Sequence, residues 1–560
     1  MNKLLTDKRI KVMLLLLGIV LSVVCSLPSV LSPLSRRINF NDSAIYQYIG
    51  YLITKGKTPY VDAFDHKGIY FYFLNAVGYL INPRWGMWIL VVAGMFGCVL
   101  MVYKTSRKFL SLVPSTLIVI IITGGLGSSF WVGDVPDFFA ALCSFIAFYQ
   151  LSDFFIHREL RTSQVIIIGA VTGIAFWMKA NMIAGTMAVC AIILVCLIYK
   201  KEFKAAGNCI LFFAISFALS SAPGILWLIY KGAFHEMLED YFLYNFKYVS
   251  FYADRSTRFH SFSYYLSMPV VYLILGLLLL ILPVLLKKKI VVSKINQLLL
   301  LSGGISLIIS LILAAWPGNS YVHYALLPFP SALYLMIATF GILQSNPFSS
   351  MKLLTILKTI MVVYMIAITF RNLYDYGKYL LSYMPQEHDV LSFICKNSQR
   401  GDTIAMVSPQ YSGFYIASQR DSATKYIYVQ ENHFTNTKEH PDAEKDFWNS
   451  YKTALIDSKP RMIIYDRDYE DCDYVKNVLQ DVLQAYKPAG KSALFEFYIL
   501  PDTENEKIPE FKSDEEVKDR NTIEIKIQKE ITEKYLNGEI SEDEYQEIFD
   551  KAFREGLKQK

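Results

Sequence analysis

Apolar runs of roughly 18 to 22 residues recur through the first two-thirds of the chain, each long enough to cross a bilayer core. Nothing else in the sequence restricts the fold as strongly. Backbone in hydrocarbon has to satisfy its own polar groups, so such runs are read as helices. Of 560 residues, 53% are hydrophobic and the mean hydropathy is +0.31, more apolar than an ordinary soluble domain. The runs stop near residue 371. We therefore expect a transmembrane domain over 1–370, a linker over 371–384, a water-soluble α/β domain over 385–500 and a charged, disordered or helical tail over 501–560.

Positive charge marks the cytoplasmic side of short loops. Lys3, Lys8, Arg9 and Lys11 precede the first run, about 11–32, which lacks a small-x-small cleavage site and reads as an uncleaved span rather than a signal peptide. The segment 66–81 is short and aromatic and is placed at the outer interface. Further spans are expected at about 85–103, 110–125, 136–151, 164–178, 182–199, 207–230, 266–286, 296–315, 324–343 and 352–370. This register sends Lys104–Lys108, Arg158–Arg161, Lys200–Lys204 and Lys287–Lys289 inside, whereas a full span at 66–81 reverses them all. The reading is a polytopic helical protein of about 11–13 spans in the cytoplasmic membrane, with its N-terminus inside and its C-terminal domain outside.

The net charge of +6 sits in those clusters, which act as topology signals and not as a nucleic-acid surface. The eight cysteines form no framework: six lie in or beside apolar runs, and pairing of Cys395 with Cys472 stays open. No CxxC or HExxH pattern indicates zinc. In the soluble domain, GDTIAMVS, KYIYVQ, PRMIIYD and SALFEFYIL read as strands, and DVLSFICKN, EKDFWNSYKTALID and YVKNVLQDVLQAY as helices.

With this topology the unusual polar residues fall on the outer side. Ionisable residues near membrane depth are costly and point to function. Asp42 opens the helix SAIYQYIGYLITK, where it can cap, and a carboxylate there can also act as a general base. Asp134 and Asp137, in GDVPD, begin a helix that Pro136 permits; both suit the helix dipole, and both are candidates for a second acidic element orienting acceptor or metal. His66 and Lys67 precede the aromatic segment; Lys67 either snorkels or holds a phosphate. Lys179, with Asn181 in WMKAN, interrupts an apolar run on the unfavoured side and calls for an anionic or sugar partner. His323, beside Tyr324, is either a hydrogen-bonded structural residue or a donor-binding one. The loop 231–260 carries Lys231, His235, Lys247, Arg255, Arg258 and His260 among tyrosines, a mixture that suits lipid phosphate and sugar rings as well as plain solvation.

The succession Asp42, Gly56-Lys57-Thr58-Pro59-Tyr60, Asp62, His66-Lys67-Gly68 resembles the first-loop signature of GT-C class membrane glycosyltransferases of the protein O-mannosyltransferase and aminoarabinose transferase group (family 39-like). Lys179 with Asn181, and His323-Tyr324 before Pro328, are similar to further marks of that group, so that the resemblance covers about 10–370. It implies a polyprenyl-phosphate-linked sugar donor, an extracytoplasmic glycan, lipid or protein acceptor, and an inverting single displacement. It makes Asp42 the first-loop catalytic acidic residue, acting as general base, Asp134 or Asp137 the second acidic element, and Lys67 the donor-phosphate lysine, helped by Lys179 or His323. Metal need varies across the class, so no cofactor is assigned and a divalent metal stays open. Gly68-Ile69 departs from the group's usual proline after His-Lys. The rival readings are a transporter or flippase, or a non-catalytic envelope polysaccharide assembly protein; no paired broken-helix repeat of the transporter kind is seen.

Overall fold

A computed structural model of the chain describes residues 7–40, 42–128, 134–247, 255–266, 292–345, 385–429, 441–467, 473–492 and 494–502, with isolated positions beside them. The spans expected near 266–286 and 352–370, the linker, nearly all of the tail and Cys472 lie outside the described residues. The chain divides into two compact units. One is Met1–Tyr383 with Gln410–Ile416 and Lys425–Ile427, and the other is Met384–Pro409, Ala417–Thr424 and Tyr428–Lys560.

In the first unit α1 (Asp7–Ser26) is followed by two short helices, α2 (Asp42–Thr54) and α3 (Ile69–Ile81). Then come α4 (Gly86–Arg107), α5 (Leu112–Ser128), α6 (Pro136–His157), α7 (Thr162–Phe176), α8 (Ala184–Tyr199) and α9 (Phe203–Tyr230). After these come α10 (Arg255–Leu266), α11 (Lys294–Ala315) and α12 (Phe329–Ser345). Among the described residues, six helical stretches are long and apolar enough to cross a membrane, and α1, α3, α5 and α7 are shorter apolar helices. The protein is a multi-pass helical membrane protein. At about 1.5 Å per residue, α3 reaches only about 20 Å of the roughly 30 Å hydrocarbon core, so it does not span when upright.

Burial separates the helices by role. The apolar window of Val322–Ser345 is 94% buried, whereas that of Phe203–Tyr230 is 22% buried; α12 is thus the centre of the unit and α9 its lipid-facing flank. Close approach of α7 to α9 relies on small residues, since a Cβ on Gly169 or Gly173 would strike Ser216 Oγ or Ser220 Oγ at 2.0 and 2.1 Å. Pro223 lies inside α9, and the ladder next to it is opened by a side chain. The Tyr70 hydroxyl accepts from Gly224 N–H (3.3 Å) and donates to the Ser220 carbonyl, occupying the place of the ordinary i→i−4 bond.

The second unit holds a five-stranded mixed sheet in the order β2-β1-β3-β5-β4. Its strands are β1 (Thr403–Val407), β2 (Asp421–Ser422), β3 (Met462–Asp466), β4 (Lys487–Lys491) and β5 (Phe495–Ile499). β1 runs parallel to β2 and β3, while β5 runs antiparallel to β3 and β4. The helices are α13 (Pro385–Asn397), α14 (Pro441–Ser458) and α15 (Asp473–Leu483). β3 is buried at every position, which explains its run of Met462, Ile463, Ile464 and Tyr465, and the buried Asp466 that ends it accepts from Ser408 Oγ at 2.6 Å. Residues 425–429 of KYIYVQ form no strand, contrary to their β-rich composition. Ile427 N–H bonds back to the Lys425 carbonyl, and Val429 N–H bonds to the Ser408 carbonyl beyond the end of β1; the turn takes up the groups a ladder would use. β4 escapes the sequence reading because KPAGK contains two strand-breaking residue types, tolerated here at a sheet edge with a register irregularity between Pro488 and Lys491.

Candidate active site

The first loop is closed by its own side chains. Gly56, at φ 80°, ends α2 in the left-handed conformation. The Asp62 carboxylate accepts from Thr58 N–H at 2.7 Å and pairs with Lys57 at 3.3 Å, so Asp62 staples the turn. Tyr60 holds a left-handed backbone (φ 71°) and donates its hydroxyl proton to the Lys67 carbonyl at 2.7 Å. Lys67 N–H donates to the Tyr72 hydroxyl at 3.0 Å, and that hydroxyl donates to Asp65 Oδ2 at 2.7 Å. Both ends of Lys67 are therefore clamped.

The Lys67 ammonium donates to His66 Nε2 at 2.7 Å and lies 3.8 Å from Asp65 Oδ1 and 5.6 Å from the Tyr46 ring centre. Burial, and then the neighbouring Lys67 charge, push His66 down to about 3, which leaves the imidazole neutral and its Nε2 free to accept. Burial raises Asp65, but Lys67, His66 and the Tyr72 hydroxyl together outweigh it and hold the carboxyl below its usual value. His66 stacks on Tyr244 at 5.5 Å, and Asn245 Nδ2 donates to its carbonyl at 2.9 Å.

A second turn, between α7 and α8, is stitched to the first. Gly68 N–H donates to the Met178 carbonyl at 2.9 Å and Tyr70 N–H to the Trp177 carbonyl at 3.0 Å. A Cβ on Gly68 would sit 2.0 Å from the Trp177 oxygen. Here is the physical reason that glycine, with no side chain, follows His66-Lys67. The stitch positions Lys179, whose ammonium reaches both oxygens of Asp137 at 3.0 and 3.1 Å and lies 4.0 Å from the Tyr324 ring centre. Lys179 is nine-tenths buried, and burial first of all lowers it to about 8 despite the attraction of Asp137. The pair is buried, and breaking it costs about 3–5 kcal/mol.

Asp42 sits exposed at the first position of α2, with the Tyr46 hydroxyl 3.5 Å from its Oδ2. It lies within electrostatic reach of Lys179, His323 and Tyr324. His323, on a 3-10 turn (Val322–Leu326), stacks on Tyr321 at 5.5 Å and meets Tyr324 edge-on at 4.9 Å. Its electrostatic neighbours are Asp137, Lys179, Asp42 and Lys67. Six of the residues singled out from sequence thus gather: Asp42, Lys67, Asp137, Lys179, His323 and Tyr324. His66 supports Lys67 from behind. Asn181 is half-buried on the 3-10 turn Ala180–Ile183. Asp134 is fully buried beside Asn75 of α3, and burial pushes it well above its usual value.

Asp65 and Tyr60 belong to the first-loop pattern read from sequence, whereas Tyr46, Tyr72 and Asn75 were not singled out for this site by sequence reasoning. Their only sequence signal is polar atoms within otherwise apolar helices or next to a flagged residue. Among the described residues no group of three or more His, Cys, Asp or Glu side chains is placed to hold a metal ion. The arrangement offers one accessible carboxylate, two buried ammonium groups and a ring of tyrosines. That combination can take a proton from a hydroxyl and stabilise an anionic leaving group.

No curated protein sequence matches the chain. Two solved structures of ArnT from Cupriavidus metallidurans share its fold. The apo form aligns with a TM-score of 0.59 at 10% identity over 88% of this chain and 98% of that one. The form bound to undecaprenyl phosphate aligns with a TM-score of 0.55 at 11% identity over 89% and 99%. AglB from Archaeoglobus fulgidus, in complex with an inhibitory peptide and a dolichol-phosphate, shows a weaker likeness, with a TM-score of 0.47 at 13% identity over 89% and 75%. The chain has the GT-C fold of membrane glycosyltransferases, with a small C-terminal sheet region. Residues 4–352 match the family model described as "Putative competence-induced protein Ccs4 N-terminal domain", and the chain belongs to that family.

Proposed function

We propose that the protein is a membrane glycosyltransferase that moves a sugar from a polyprenyl-phosphate donor to a hydroxyl of an extracytoplasmic acceptor. The observation that carries this is the pairing of an exposed carboxylate, Asp42, with two lysines held at depth by Asp65 and Asp137. A transporter has no need of an accessible base beside two anchored ammonium groups. The fold shared with an ArnT bound to undecaprenyl phosphate supports the lipid-phosphate donor. The charge bias of the loops supports a cytoplasmic N-terminus and a site facing outside.

In this reading the donor phosphate meets Lys67, and Lys179 adds positive charge next to it. The acceptor hydroxyl enters at Asp42. Its oxygen attacks the anomeric carbon while Asp42 takes its proton, and the bond from that carbon to the phosphate oxygen breaks. The electron pair leaves with the lipid phosphate, whose charge the lysines stabilise, and the anomeric configuration inverts. Positioning and charge stabilisation supply most of the rate.

The test is transfer from labelled polyprenyl-phosphate sugars by Asp42→Asn in reconstituted membranes. Loss of a general base predicts a fall of about 10²–10⁴-fold with unchanged folding. Activity near that of the natural protein removes Asp42 from the mechanism.

A further inference from the structure

Two short segments from far along the chain, Gln410–Ile416 and Lys425–Ile427, belong to the first unit. Each meets one end of the stretch that carries Asp42 and Lys67. At the Asp42 end, the Phe40 ring centre lies 4.8 Å from that of Tyr411 and 4.9 Å from that of Phe414. Gly413 passes so close that a Cβ on it would sit 1.8 Å from the Asn39 carbonyl oxygen. Asn39 is in turn tied into α2: its Oδ1 accepts from the Ser43 hydroxyl and its Nδ2 donates to Gln47 Oε1, both at 3.0 Å. Further along α2, Tyr48 packs on Tyr415 at 4.9 Å. The backbone that leads into Asp42 is gripped from outside its own helix.

At the Lys67 end, Phe64 N–H donates to the Lys425 carbonyl at 2.6 Å, and the Phe64 ring lies 6.2 Å from that of Tyr426. Asp65, His66 and Lys67 follow directly. The two gripping segments are also joined to each other. The buried Ser412 hydroxyl donates to the Ile427 carbonyl at 3.1 Å, and Ile427 N–H donates to the same Lys425 carbonyl that Phe64 uses. Tyr411 takes a left-handed backbone (φ 43°) to make the turn, a conformation that a tyrosine keeps only where its surroundings enforce it. The chain itself joins Asp42 to Lys67 the long way, down α2 and back through the exposed turn 55–57. The path Asn39–Gly413, Ser412–Ile427, Lys425–Phe64 closes the open end of that hairpin.

We propose that these two segments form a bracket that fixes the separation of Asp42 from Lys67, with Ser412 and Gly413 as its positioning residues. A base for the acceptor hydroxyl and a cation for the leaving phosphate have to stand one sugar ring apart. An error in that spacing costs rate while leaving the donor phosphate its contact with Lys67. The effect on transfer rests on the transferase reading; the bracket itself does not.

The experiment uses the full-length protein in lipid nanodiscs and two variants, Ser412→Ala, which removes the link, and Gly413→Ala, which pushes on the Asn39 backbone. Backbone hydrogen exchange is followed by mass spectrometry. Ser412→Ala should speed exchange by about 2- to 10-fold in the peptides covering both 39–48 and 62–68. Faster exchange confined to 410–429 overturns the proposal. In the transfer assay with a labelled polyprenyl-phosphate sugar, both variants should lower kcat by about 10- to 10²-fold, Gly413→Ala the more, with the donor KM unchanged. An unchanged kcat in Ser412→Ala, or a kcat that falls only together with a loss of donor affinity, also overturns it. Ser412→Ala adds no atoms and decides the matter alone should Gly413→Ala fail to fold. Should the natural protein transfer no sugar, the transferase reading fails while the exchange result still decides whether the bracket exists.

Discussion

Gly68→Ala is the sharpest perturbation the structure allows. The added Cβ would fall 2.0 Å from the Trp177 oxygen, 2.3 Å from its carbonyl carbon and 2.9 Å from Met178 N. All three are backbone atoms, so no side-chain rotation relieves the contact. The two turns must part by about an ångström or more to reach ordinary packing distances. That movement breaks the bonds Gly68 N–Met178 O and Tyr70 N–Trp177 O. Two buried hydrogen bonds at about 0.5–1.5 kcal/mol each, plus about 1–3 kcal/mol for forced overpacking, give a loss of roughly 2–6 kcal/mol. The same movement separates Lys67 from Lys179, and a misplacement of about 1 Å is enough for a loss of about 10²-fold in rate. The assay pairs thermal unfolding of the purified protein with sugar transfer. Gly207→Ala is the control, because a Cβ there, inside α9, meets nothing within 4 Å. That variant should unfold at or slightly above the natural temperature, since alanine favours helix by about 0.5–1 kcal/mol. If Gly68→Ala unfolds and transfers like Gly207→Ala, the two turns are not coupled as described.

Lys179, lowered to about 8 from 10.5, gives a pH signature of two signs. Transfer should fall as pH rises through about 8 and the ammonium is lost. Between the folded and unfolded values the unfolded chain holds more protons, so this residue's contribution to stability rises with pH instead; a parallel fall in both would refute its role. Asp240, which burial raises from 3.8 to about 7, works the other way. The folded state holds the extra proton between those values, so stability is lost as pH rises through them, and Asp240→Asn should melt above the natural protein at pH 8 but level with it near pH 4. Tyr70→Phe strands the Gly224 N–H and the Ser220 carbonyl next to Pro223. It should lower stability by about 1–3 kcal/mol, read as a drop in the unfolding temperature, and an unchanged temperature would show that α9 recloses its own ladder.

The helices were legible because a bilayer leaves a chain few options: long apolar runs announce themselves whatever they pack against. The site was legible in part for the related reason that Lys179 and His323 are expensive where they stand. What one sequence cannot display is partnership. Lys179 meets Asp137 across 42 positions, and neither residue carries a mark of the other. Asn75 hides inside an aromatic helix where one amide disturbs no periodicity. Gly68 reads as a departure from a pattern until the Trp177 backbone is seen passing over it. KYIYVQ has strand composition but gives its Ile427 and Val429 amides to a turn and to the Ser408 carbonyl, and KPAGK makes a strand from residues that argue against one.

The clamps around Lys67 also bear on how the protein is made. Tyr60, Asp65 and Tyr72 lie within seven positions of their bonding partners. Contacts that local close early, while the ribosome is still adding chain. The loop that carries Lys67 can therefore set its shape as soon as α2 and α3 reach the bilayer, whereas the turn bearing Lys179 arrives long afterwards and must dock on a finished surface. A newborn chain halted between those two events would present a formed Lys67 loop with an open seam along Gly68, its amide and that of Tyr70 still waiting for the Met178 and Trp177 carbonyls.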